Sequence, residues 1–135
     1  MTHSVLLPDM IVHYRHGGQW FHEDISSFFP PNNKTLLVSV KGAFISNREA
    51  LFYDSAKLPY DNIVLTCVND TFVMNAWAAY LDLKRVMLLP DGNGILAKYL
   101  GVAVDYTNED LGIRGWRGEW LVARNSLRYL GDLTC

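Results

Sequence analysis

At 135 residues, half of them hydrophobic and 13% aromatic, the chain is long enough to bury about two-thirds of its unfolded surface in one packed domain. A formal net charge of −2 argues against general binding to nucleic acid or to an anionic membrane surface, and no apolar run approaches the roughly 20 residues of a membrane helix. Two cysteines, Cys67 and Cys135, cannot build a disulfide framework and suit a reducing compartment. Residues 1–9 lack the basic start and apolar segment of a signal peptide, so a cytoplasmic location is expected, with an organellar matrix also compatible. No repeat or linker divides the chain, and one domain over residues 1–135 is expected.

In chain order, residues 10–15 are apolar and β-branched enough for a strand. His16-Gly17-Gly18-Gln19 reads as a tight turn, because glycine reaches positive φ without strain; residues 10–22 thus form an expected edge hairpin. Asp24 or Ser26 caps a single helical turn carrying Ile25, Phe28 and Phe29, which Pro30-Pro31 stops. All four histidines, His3, His13, His16 and His22, fall in this opening section. A metal site needs three converging donors, and the odd spacing of His13 and His16 sends them to opposite sides of a strand, so no metal is expected. Residues 34–40 form a central strand. Ser46 followed by Glu49 is a capping-box pattern that starts a short helix near Asn47, carrying Ala50, Leu51 and Phe52.

The stretch from Asp61 to Leu100 is the clearest. Residues 63–68 are an apolar, β-branched run, the pattern of a strand buried on both faces. Asn69 or Asp70 caps the next helix, whose buried face is expected at Val73, Ala76, Trp77, Tyr80 and Leu81. Val86-Met87-Leu88-Leu89 is the following strand, closed by Pro90. Asp91-Gly92-Asn93-Gly94 turns into a helix with Ile95, Leu96, Tyr99 and Leu100, and Gly101 stops it. Strand, helix and strand read as a βαβ crossover between parallel neighbours. Further on, residues 104–110 read as a polar, acidic loop. Residues 113–117 hold Arg114 and Arg117 around Trp116. Residues 119–124 and 127–130 make a second hairpin turning at Asn125-Ser126, and no closing helix is expected.

Three of these stretches resemble the peroxiredoxins, in particular the type-five (redoxin) branch. Val68-Asn69-Asp70-Thr71-Phe72-Val73-Met74-Asn75-Ala76-Trp77 is similar to the family's VNDxFVMxAW segment. Leu88 to Gly94 resembles the strand and turn after it, and Gly112 to Arg117 the family's G-x-R-S-x-R strand. The resemblance covers residues 10–130 or so. It implies a thioredoxin-like α/β fold, with a central mixed sheet flanked by helices and with N- and C-terminal hairpins. The helix after residue 46 looks about two turns shorter than the family's, at 3.6 residues per turn.

The same resemblance carries a departure. Gly42-Ala43-Phe44 matches the middle of the family's P-G-A-F-T-P-x-C motif, but Lys41 stands at the proline, Ile45 at the threonine, Ser46 at the second proline and Arg48 at the peroxidatic cysteine. Peroxide reduction needs a thiolate that attacks the O–O bond. An arginine guanidinium offers no nucleophilic lone pair, and isoleucine donates no hydrogen bond. Among active-site positions only Arg114 matches.

Of the remaining thiols, Cys67 reads as a core filler inside an apolar strand, whereas Leu133-Thr134-Cys135 resembles the segment around the resolving cysteine. The function expected is therefore a peroxiredoxin-like protein without peroxidase chemistry. It would bind through the former active-site face, with Phe44, Ile45, Trp116 and Arg117 at a homodimer or larger assembly. The alternative is residual thiol peroxidase or thiol–disulfide exchange at Cys135 or Cys67. Phe44 and Trp116 as plain core residues are the competing structural explanation. Arg48 and Arg114, if they converge at the helix N-terminus, suit a small anion, unless Glu49 or Asp54 neutralises them. No cofactor is implied.

Overall fold

A computed structural model describes residues 4–132, so the expectations placed on His3 and Cys135 lie outside the described residues. The centre of the fold is β4 (Thr35–Ser39), whose five residues are all buried. It runs parallel to β5 (Asn62–Cys67), which runs parallel to β6 (Met87–Pro90). On its other edge β4 pairs antiparallel with β9 (Gly118–Ala123), followed by β10 (Ser126–Gly131) and β1 (Ser4–Leu6). The strand order is β1-β10-β9-β4-β5-β6, a mixed sheet. Because successive side chains point to opposite faces, β4 feeds two cores. Leu36 and Val38 join Leu65, Cys67, Met74 and Trp77 on one face. Leu37 joins Val64, Leu89, Leu96 and Trp120 on the other, sealed by Ile25, Phe28 and Phe29.

The crossover from β5 through α2 (Thr71–Leu81) to β6 forms as expected. Asp70 is its N-cap and accepts from the Val73 N–H at 2.9 Å. The buried face of α2 differs from the expectation, however. Thr71, Met74 and Trp77 are buried, while Ala76 and Tyr80 face outward. This helix is apolar nearly all round, so periodicity alone could not tell which of two overlapping stripes meets the sheet. α1 (Asn47–Ser55) begins at the expected residue, but the capping box is not formed: Ser46 makes no side-chain cap bond. α3 (Ile95–Tyr99) begins after Gly94 at φ 72°, and its free N–H groups at Leu96 and Ala97 donate to the buried Asp91 carboxylate at 3.0 and 2.9 Å.

Four further points correct the sequence reading. The hairpin of β2 (Ile11–His16) and β3 (Gln19–Asp24) is a separate two-stranded sheet, not an edge of the central one. The acidic segment after Val102 is β7 (Ala103–Tyr106), paired antiparallel with β8 (Gly112–Gly115); its alternating half-buried pattern hid among the polar residues. The second hairpin turns at Arg124-Asn125, both at positive φ (52° and 63°), as a two-residue turn matched to strand twist demands. Strand β1 was not anticipated; residues 4–6 complete the sheet on β10.

Candidate functional site

β4 delivers the chain into residues 41–46, a turn lying between α1 and the end of β5. Its shape is fixed from several directions. Ser46 N–H donates to the Gly42 carbonyl at 2.9 Å, and the buried Ser46 hydroxyl accepts from the Gly42 N–H at 3.3 Å. That return bond explains why Ser46 does not cap α1. The Ala43 N–H donates to Asn69 Oδ1 at 2.9 Å, so Asn69 braces the turn and leaves helix capping to Asp70. Phe44 sits at φ 65°, a left-handed conformation that costs an L-residue roughly 1–2 kcal/mol. Its ring leans on Tyr80, with centroids 5.6 Å apart. Behind the turn, Trp77 Nε1 donates to Asn47 Oδ1 at 2.6 Å, tying α1 to α2.

Arg114, on β8, reaches this turn. Its Nε donates to the Leu111 carbonyl at 2.9 Å, and Nη1 lies 2.6 Å from where a side chain on Gly42 would begin. Ile45 Cδ1 is 3.2 Å and Asn69 Oδ1 3.5 Å from the same point. Gly42, Ile45, Asn69 and Arg114 are therefore one cluster, and a Cβ at residue 42 would have to displace the end of the Arg114 side chain. Arg48 is exposed on the first turn of α1. Asp54, a suggested counterion, is committed elsewhere: its carboxylate accepts from the N–H groups of Lys84, Arg85 and Val86. Lys41 lies over the Tyr106 ring at 4.1 Å and 3.9 Å from the Glu109 carboxylate.

Cys67 closes β5 directly under the turn. It is 2% exposed and its thiol faces Met74 Sδ at 3.4 Å. Burial pushes the thiol up to about 12, and Asp91 adds to that rise. The Ala43 N–H and the Arg114 charge pull the other way without winning. A thiol in that state is a poor nucleophile.

Exposed apolar side chains lie at the turn and on the elements around it. Phe44 and Ile45 are each 47% exposed, Trp116 is 46% and Tyr80 is 69%. Phe44 and Trp116 are thus not core residues. The exposed Arg117 guanidinium lies 5.5 Å from the Trp116 ring. Tyr80 escaped the sequence reading because it was assigned to the buried stripe of α2. A second residue that escaped is Glu119, buried on β9 and accepting from the Tyr53 hydroxyl; only its place in an otherwise apolar strand hints at it. A cleft of about 650 Å³ lies elsewhere, between the β2–β3 hairpin, α2 and β6. None of the turn residues or Arg114 lines it, so the site is assigned by chemistry and not by cavity size. Among the described residues no group of three or more His, Cys, Asp or Glu side chains is placed to hold a metal, and no helix is long and apolar enough to cross a membrane.

No family model matches the chain, but individual proteins do. A peroxiredoxin of Rhizobium etli is 34% identical over 107 residues, 73% of this chain and 59% of that protein. The hybrid peroxiredoxin of Haemophilus influenzae is 34% identical over 125 residues, 86% of this chain and 51% of that protein. Among solved structures, peroxiredoxin 5 from Alvinella pompejana superposes with a TM-score of 0.77 at 29% identity, covering 97% of this chain and 88% of that one.

This chain is similar to peroxiredoxins over most of its length.

Its central mixed sheet and helices are the thioredoxin-like fold of that family. A Vibrio vulnificus peroxiredoxin solved with hydrogen peroxide shares the fold alone, at 23% identity and a TM-score of 0.79 over 97% of this chain and 88% of that one. The chain spans about half the length of the curated relatives it matches.

Proposed function

We propose that this peroxiredoxin-like chain does not reduce peroxide at residues 41–48 and acts instead as a binding subunit through the face around that turn. The observation that carries the reading is the side-chain set at the turn. By the motif resemblance Arg48 stands where the family has its cysteine; in the structure Ile45 shares its cluster with Arg114, and the thiol beneath is buried and held protonated. The Gly42 and Ala43 N–H groups already donate to Ser46 and Asn69. Exposed Phe44, Ile45, Tyr80 and Trp116, with Arg117 beside them, have the aromatic and arginine composition of interface centres. A second copy of the chain is the first partner to test, and a larger assembly the next. A small anion between Arg48 and Arg114 is a further element of the proposal, tested by titrating phosphate and sulfate.

The decisive assay is peroxide consumption with a thiol reductant, on wild type, Cys67→Ser and Cys135→Ser. The proposal expects no saturable turnover in any of them. Turnover abolished by either substitution would falsify it in favour of residual thiol chemistry. Light scattering across a concentration series tests self-association. Phe44→Ser and Trp116→Ser should shift it toward monomer, and a wild type monomeric at the highest concentration removes the homodimer.

A further inference from the structure

We propose that His13 and His22 form a two-imidazole clamp for a late first-row divalent metal ion on the outer face of the β2–β3 hairpin. The argument begins at the turn. Gly17 and Gly18, at φ 58° and 78°, make a two-residue connection that closes on His16 and Gln19. In such a hairpin the closing pair is hydrogen-bonded and the pairs then alternate. Arg15 and Trp20 are therefore non-bonded, Tyr14 and Phe21 bonded, and His13 and His22 non-bonded again. The non-bonded position is where opposite Cα atoms approach to about 4.5 Å and their side chains come nearest.

Both histidines are exposed, with ring centroids 6.2 Å apart and planes tilted by 34°. Imidazole binds first-row ions at about 2.0–2.1 Å and suits copper, nickel and zinc. Sharing one ion brings the centroids to roughly 5 Å, by the same ligand distance. Rotation of two exposed side chains supplies that closure. The neighbours permit it. The Arg15 guanidinium is drawn off toward the turn, donating to the Gly18 carbonyl at 2.7 Å and lying over Trp20. Asp24, further along β3 on the same face, adds negative charge while accepting from the Ser26 N–H. His16 lies on the opposite face and cannot join. No third donor completes a cluster among the described residues, so the pair falls short of the three donors a tightly held ion needs; water fills the remaining positions and the ion exchanges freely.

The test titrates NiCl2 and ZnCl2 by calorimetry into the full chain carrying His3→Ala and Cys135→Ser, which removes donors outside the described residues. One saturable site is expected, at least tenfold weaker in His13→Ala and in His22→Ala and unchanged in His16→Ala. In the unsubstituted hairpin, Ni2+ should broaden the His13 and His22 ring resonances ahead of those of His16, a readout that needs no substitution. Absence of saturable binding, affinity kept in both single variants, or equal broadening of all three rings overturns the proposal.

Discussion

Cys67 is the place where the proposed loss of peroxidase chemistry can be measured most directly. With its thiol pushed up to about 12, roughly one molecule in 10⁴ carries a thiolate at pH 8, against about a quarter for an ordinary cysteine near 8.5. Since only the thiolate reacts, disulfide exchange with Ellman's reagent should be slower by about three orders of magnitude from ionisation alone. Burial to 2% exposure slows it further, because the reagent must wait for the turn above to open. In a Cys135→Ser background the native protein should therefore label over hours, and the guanidinium-denatured protein at once. The same shift has a signature in stability. A thiol whose folded value lies above its unfolded value contributes stability that is complete below about pH 8.5 and is lost as pH rises from there toward 12. Cys67→Ala should lack that alkaline decline. Native labelling within tenfold of the denatured rate would refute the reasoning and return Cys67 to consideration as a working thiol.

Other outcomes follow from the same structure. The Thr35 hydroxyl is buried without a hydrogen-bond partner among the described residues, so the near-isosteric Thr35→Val should stabilise by about 1 kcal/mol, read as a rise of roughly 3–5 °C in Tm. Asp54 is opposed by its burial but favoured more strongly by three backbone N–H groups and by Lys84, which together hold its carboxyl below the usual range. Its contribution is present above the ordinary carboxylate value and lost as pH falls through the lowered one. Asp54→Ala should cost about 2 kcal/mol at pH 7 by denaturant unfolding, and much less at pH 2. Arg48→Cys, with Cys67 and Cys135 both changed to serine, places a thiol on the first turn of α1. The helix N-terminus favours its thiolate by about 0.3–1 kcal/mol, so its reactivity should titrate a few tenths of a unit below 8.5; a midpoint above 8.5 contradicts that placement.

Much of the fold could be read because its strands are extreme cases. Residues 63–67 are so uniformly apolar and β-branched that a doubly covered strand is the sole economical reading, and Asp70 sits where a cap must. Three features were not legible, each for a physical reason. The face of α2 could not be read, since Met74 and Val73, or Trp77 and Ala76, serve either stripe until the sheet is present. β7 could not be read, because a strand paired in a small exposed ribbon keeps a polar alternation. The turn's bracing was hidden too: Asn69 as partner of Ala43, and Arg114 as cover for Gly42, are meetings of residues 26 and 72 positions apart in the chain. The motif resemblance found the turn, but motifs carry no statement about which side chains hold it.

Those bracing contacts also explain how the turn holds its shape with an arginine at residue 48. Nothing that fixes residues 41–46 depends on a nucleophile at residue 48. The Asn69 brace, the Ser46–Gly42 closure, the Trp77–Asn47 tie and the packing of Lys41 on Tyr106 are main-chain, amide, indole and cation–π interactions. They join β4, α1, α2 and β7 into one support. The side chain at residue 48 is exposed, so changing it opens no cavity in the core. Loss of the turn itself would uncover part of the upper core around Val40, Ala43 and Ala50. Selection for stability alone is enough to preserve the frame. The exposed residues around it, Phe44, Ile45, Tyr80 and Trp116, are under no such constraint from the core, and their apolar character needs a different cause. Covering by a partner supplies one.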